Sequence, residues 1–93
     1  MNVKVMIPTP LRAYTEKKDS VFVEGKTVGE LLVRLTTQHA QLRKHLYADN
    51  GALRNFVNVY VNNDDIRYLN NEDTVIKESD VVSIIPSIAG GRN

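Results

Sequence analysis

Apolar and polar residues alternate at the start of the chain: Val3, Val5 and Ile7 are interleaved with Asn2, Lys4 and Met6. That period of two predicts a β-strand with one buried face. Pro8 and Pro10 end it, and Leu11 to Thr15 reads as a short irregular or helical connector. Val21 and Val23 mark a second short strand, closed by Glu24-Gly25. The period then changes. Val28, Leu31, Leu32 and Leu35 recur at three- to four-residue spacing, with His39 next in the series, which predicts a helix with one apolar stripe. Thr27 and Glu30 form a capping box in front of it, with the hydroxyl accepting the Glu30 N–H and the carboxylate reaching back to Thr27. A weaker helical stretch spans Gln41 to Tyr47, held by Leu42 and Leu46, and Asp49-Asn50-Gly51 turns the chain.

The second half is richer in strands. Val57, Val59 and Val61 alternate with Asn58, Tyr60 and Asn62. Asn62 to Asp65 has turn chemistry and precedes a short strand expected at Ile66 to Tyr68. Asn70 to Asp73 is a further turn, and Val81 to Pro86 is the last strand. Strand, strand, helix, strand, strand, strand is an α+β order. It predicts a ubiquitin-like β-grasp: a mixed sheet with one main helix packed across it, and the last strand returning beside the first. A ferredoxin-like split requires a second strong helix between later strands, and none is written here.

Length makes this one domain, expected over residues 1–86 of the 93, with residues 87–93 as a flexible tail. A formal net charge of +1 gives no electrostatic reason for a nucleic-acid or membrane partner. No apolar run approaches the ~20 residues of a membrane span, and the start lacks signal-peptide features, so a cytoplasmic location is the default expectation. The chain has no cysteine, which removes disulfides, thiolate-bound metals and a thiol nucleophile. Any sulfur it carries must therefore sit elsewhere, and a chain-terminal carbonyl is the place left.

The tail reads Ser87-Ile88-Ala89-Gly90-Gly91-Arg92-Asn93. By composition it could be no more than a frayed end. Two glycines also suit a chain end that must enter a narrow slot: without Cβ atoms they permit close backbone approach and leave the carbonyl open to attack. ATP would convert a Gly91 carboxylate to an acyl-adenylate, and a sulfur nucleophile could displace AMP to leave a thiocarboxylate. As encoded, Gly91 is joined to Arg92 by an amide, so this chemistry requires cleavage between Gly91 and Arg92.

Other groups are weaker candidates. His39 and His45 have no third ligand at suitable spacing, so no metal site is expected, and both read as surface or helix-end residues. Asp64-Asp65 reads as part of a turn, and the serines lack the setting of a nucleophile. No catalytic residue is expected, and Arg43-Lys44-His45 and Lys17-Lys18 read as solvated faces. If Val82 and Ile84 face the helix, Val81 and Ile85 lie on the other side of the sheet. Met6 and Tyr60 join them there as a possible partner patch.

The stretches Met1–Arg12, Phe56–Arg67 and Ile84–Gly91, with the helix between them, resemble the MoaD/ThiS family of ubiquitin-like sulfur carriers, most closely its cysteine-biosynthesis branch. The resemblance implies a non-enzymatic carrier in which Gly91 bears the thiocarboxylate, while Gly90, Ala89 and Ile88 thread into partners. It implies no bound cofactor, since ATP and a sulfur donor are used by a ubiquitin-activating-like (MoeB/ThiF-type) adenylating enzyme. It also implies a pyridoxal-phosphate-dependent, cysteine-synthase-like acceptor enzyme and a JAMM-type zinc metallopeptidase. Members of that branch typically end at the second glycine. Arg92-Asn93 is a departure, and it leaves the sulfur acceptor open between cysteine, homocysteine and another metabolite. A protein modifier attached through Gly91, a molybdopterin synthase small subunit and a plain interaction domain are the alternatives.

Overall fold

The structure, a computed structural model, describes residues 2–86. Five strands form one sheet: β1 (Asn2–Met6), β2 (Ser20–Glu24), β3 (Val57–Val61), β4 (Asp64–Asp65) and β5 (Val81–Pro86). Their order is β2-β1-β5-β3-β4. β1 pairs antiparallel with β2 and parallel with β5, and β3 lies antiparallel to both β5 and β4. Helix α1 (Val28–Gln38) packs across one face, so the expected mixed sheet and crossing helix are present.

The alternation in sequence becomes two faces of this sheet. Val3, Val5, Val23, Val59, Val82 and Ile84 point inward and are at most 2% exposed. Against them α1 sets Val28, Leu31, Leu32 and Leu35, each fully buried. At about 2–3 kcal/mol per buried aliphatic side chain, this seam is the main stabilising contact of the helix. Its start is capped as expected at Thr27, whose hydroxyl accepts the Glu30 N–H at 3.2 Å. The return half of the box lands one residue earlier: the Glu30 carboxylate accepts the Lys26 N–H at 3.2 Å.

The connectors differ from expectation in informative ways. Thr9–Tyr14 is a six-residue 3-10 helix beginning with Pro10 in its first turn, and it buries Leu11. The weak second helix is a 3-10 turn, Ala40–Leu42, running into the four-residue helix α2 (Arg43–Leu46). Leu42, Leu46 and Tyr47 carry this segment into the core.

The fourth strand is displaced from its expected place. Ile66–Tyr68 is a 3-10 turn, and the strand is Asp64–Asp65, which sequence reasoning had assigned to a turn. The cause is local: the Asp65 carboxylate accepts the Arg67 backbone N–H at 2.9 Å and bends the chain out of the extended form. Only Asn62-Asn63 remain as the loop between Val61 and Asp64, with Asn62 at φ 58°.

Candidate functional site

The sequence-derived tail residues Ile88, Ala89, Gly90, Gly91 and Arg92 lie outside the described residues. What the structure does define is the ground from which the tail departs. The last described register pair is Val57 opposite Pro86, at the end of β5. Because β5 runs parallel to β1, that end lies beside the end of β1 and the connector that follows it.

The outer face of the sheet, opposite α1, is built by the polar half of each strand's alternation. Met6 and Tyr60 both lie opposite Ser83, one from each neighbouring strand. Val81 and Ile85 stand two residues to either side of Ser83 on the same face. The four patch residues are therefore brought onto one surface, with Met6, Tyr60 and Val81 half-buried and Ile85 about half exposed. Phe22, 63% exposed, is opposite Lys4, and Lys4 is opposite Val81. This aromatic ring extends the apolar surface toward β2. Sequence reasoning missed it, although Phe22 alternates with the inward Val21 and Val23.

Reasoning from sequence also missed a polar cluster at the β3–β4 edge of this face. Asp65 pairs with Tyr60 across β3 and β4, and Asn58 pairs with Ile85 across β3 and β5. Arg67 joins them. Its Nε donates to Asp65 Oδ1 at 3.2 Å, its Nη2 donates to Asp65 Oδ2 at 2.7 Å, and Nη2 also donates to Asn58 Oδ1. The Arg67 bonds hold the largely buried Asp65 carboxyl below its ordinary range: the side-chain bond first, then the one from the backbone N–H. Asp65 in turn raises the guanidinium, with smaller contributions from Tyr68 and Tyr60. The sequence signal was the spacing Asp65-x-Arg67 directly after a turn, where an aspartate can take both the backbone and the side chain two residues on.

The two histidines are placed differently from one another. His39 sits at the C-terminal cap of α1, as a helix-end residue. His45 is less superficial than expected: it stacks on Tyr14 with ring centroids 4.6 Å apart, and its Nε2 is buried without a hydrogen-bond partner among the described residues. The stack ties α2 to the connector after β1. Arg43 lies over the Tyr47 ring at 5.8 Å, so part of the basic cluster serves packing. No group of three potential metal ligands converges among the described residues. No helix among them is long and apolar enough to cross a membrane.

A five-stranded mixed sheet in this order, crossed by one helix and leading into a diglycine tail, defines a ubiquitin-like β-grasp protein. The chain belongs to the ThiS family, whose model matches residues 5–91. The matched stretch includes Gly90-Gly91 and stops before Arg92. The sulfur carrier protein CysO of Mycobacterium tuberculosis is 39% identical over 93 aligned residues, covering 98% of this chain and all of the relative. Among solved structures, the BexX/CysO complex of Amycolatopsis orientalis matches with a TM-score of 0.85 and 37% identity, covering 96% of this chain and 99% of that one. The small archaeal modifier protein 1 of Methanosarcina acetivorans matches with a TM-score of 0.84 and 26% identity, covering 97% and 96%.

Proposed function

We propose that this chain is a sulfur carrier whose working group is a thiocarboxylate at Gly91. The observation that carries the reading is the family match running through Gly91, together with the near full-length similarity to sulfur carrier proteins. The chemistry of the chain agrees with it. There is no thiol to hold sulfur, and the two glycines leave the terminal carbonyl sterically open.

The sequence of steps follows from what must balance. Hydrolysis of the Gly91–Arg92 amide releases Arg92-Asn93 and creates the carboxylate. A MoeB/ThiF-type enzyme joins that carboxylate to AMP from ATP, and pyrophosphate leaves. A sulfide-equivalent nucleophile then attacks the carbonyl, AMP departs, and Gly91 retains the sulfur. The chain supplies the carbonyl and a docking surface, and the enzymes supply the catalysis. Met6, Tyr60, Val81 and Ile85 form that docking surface, since an enzyme holding Gly91 must also lie over the sheet end from which the tail leaves. A JAMM-type metallopeptidase is the fitting class for the cleavage, and a pyridoxal-phosphate enzyme of the cysteine-synthase type is the fitting acceptor for a route to cysteine or homocysteine.

Intact-mass measurement on protein isolated from its host tests this directly. Loss of Arg92-Asn93 with one carboxyl oxygen replaced by sulfur is the expected result. Retention of both residues on all active protein overturns it. The likeness to the archaeal modifier protein supports a second reading, conjugation of Gly91 to lysines of other proteins. Isopeptide-linked adducts in host lysate, with no thiocarboxylate, would favour that one.

A further inference from the structure

Arginine has five N–H donors. In Arg67 the Nε and both Nη2 donors are used by Asp65 and Asn58, which leaves the two on Nη1 without an acceptor among the described residues. The side chain is nonetheless 57% exposed. A surface arginine normally loses conformational freedom when it binds. Here that cost is already met inside the fold, because the fork is clamped by a carboxylate and an amide on two different strands. A pre-ordered, exposed guanidinium beside aromatic side chains has the make-up of an interface anchor.

Its surroundings indicate what it meets. Tyr60, Tyr68 and Leu69 line a shallow recess of about 550 Å3 that Arg67 and Asp65 also line. Tyr68 is 87% exposed and Leu69 41%. Gly91 lies five positions beyond Pro86, a span of at most about 18 Å. Any enzyme acting on Gly91 must therefore cover ground within that reach of Pro86. Arg67 donates to Asn58, the neighbour of Val57, and Val57 pairs with Pro86 one strand spacing away, so the guanidinium lies within that reach.

We propose that Arg67 is the polar anchor by which the adenylating enzyme holds this chain, with a carboxylate of that enzyme accepting the Nη1 donors and an apolar side chain filling the recess beside Tyr60, Tyr68 and Leu69. The inference rests on the carrier reading and adds the chemistry of the partner's contact. A carboxylate suits the site because a charge-assisted bond is roughly twice as strong as a neutral one, and a fixed fork presents it with no further ordering. Asn58 and Asp65 act as positioning residues that aim the guanidinium.

The test uses the chain ending at Gly91, the adenylating enzyme of the same organism, ATP and a sulfide source that discharges the acyl-adenylate, with pyrophosphate release as the readout. Arg67→Met is expected to raise KM about 10-fold or more and to leave kcat within about twofold, with Arg67→Lys in between. Asp65→Asn removes a stabilising charge but keeps the Nη1 donors. It should lower thermal stability at least as much as Arg67→Met while raising KM only a few-fold. An unchanged KM in Arg67→Met overturns the anchor, as does a KM that follows thermal stability across these variants. If the unaltered chain releases no pyrophosphate, the carrier reading itself falls and the anchor with it.

Discussion

Asn62 and Asp80 lock the β3–β4 turn onto the start of β5. Asn62 Nδ2 donates to Asp80 Oδ1 at 3.0 Å, and Asn62 Oδ1 accepts the Val81 N–H at 3.1 Å. The Asn62 backbone N–H donates to Val81 O at 2.7 Å. Asn62 does this at φ 58°, in the left-handed region where asparagine is among the few tolerated side chains. Asn62→Ala removes two hydrogen bonds and strains the backbone, for an expected loss of about 2–3 kcal/mol. Asn62→Gly relieves the strain without restoring the bonds and should lose about half as much. Urea denaturation of the two variants separates the contributions, and equal losses would show that the dihedral contributes nothing.

Gly25 sets how closely α1 approaches the end of β2. A Cβ built there would lie 2.8 Å from both the Cα and N of Leu31 and 2.9 Å from its Cβ. The obstruction is helix backbone, which cannot rotate away as a side-chain tip could. Gly25→Ala is expected to cost about 1–3 kcal/mol as the helix shifts outward. Thermal denaturation checks it, and an unchanged midpoint would mean that the helix start adjusts freely.

Tyr47 is 9% exposed, and its hydroxyl is buried with no hydrogen-bond partner among the described residues. Burial, reinforced by Glu72, pushes its pKa upward. A buried donor left unmade is a cost, and Tyr47→Phe removes it while keeping the ring in the core. The variant should be as stable as the parent, or more stable by up to about 1 kcal/mol. A loss beyond about 1 kcal/mol in chemical denaturation would mean that the hydroxyl has a partner in solution.

Asp65 and Asp80 make stability depend on acid. Both carboxyls are held below the ordinary value of 3.8, Asp65 mainly by Arg67 and Asp80 mainly by Asn62. A group with a depressed folded pKa is deprotonated in the fold while the unfolded chain already binds a proton. Its contribution is therefore complete above the ordinary carboxylate range and is lost as pH falls through the folded pKa. Urea midpoints should hold between pH 7 and about 5 and decline below about 4. Asp65→Asn should flatten that decline, and an unaltered slope would assign the acid sensitivity to other groups.

Most of the architecture was legible because its signals are local. The period-two runs at Val3–Ile7 and Val57–Val61, the spaced leucines of α1 and the Thr27 cap each announce themselves within a few residues. The fourth strand was not legible, since Ile66-Arg67-Tyr68 alternates like a strand until the Asp65 side chain takes the Arg67 N–H. The outer face was half legible. Alternation placed Met6, Tyr60, Val81 and Ile85 on one side, but the neighbours of β5 are distant in sequence, and only the register brings Asn58 to Ile85 and Asp65 to Tyr60. The buried stack of His45 on Tyr14 escaped for the same reason, since 31 positions in the chain separate the two rings.

The apolar part of the outer face carries the last prediction. Tyr60 and Ile85 stand on neighbouring strands two residues out of register, and neither contributes to the core on the α1 side. Replacing them should therefore spare the fold. If the face receives the adenylating enzyme, Tyr60→Ala should raise the KM for adenylation of the chain ending at Gly91. Ile85→Asp should raise it further, because a buried interfacial carboxylate without a partner is costly. The expected changes are about 10-fold and about 100-fold, with far-ultraviolet circular dichroism unchanged. A double variant should approach the sum of the two free-energy changes only if the residues fill separate pockets, since neighbours in one pocket couple. Adenylation kinetics indifferent to both substitutions would remove the face from the interface and leave recognition to the tail alone.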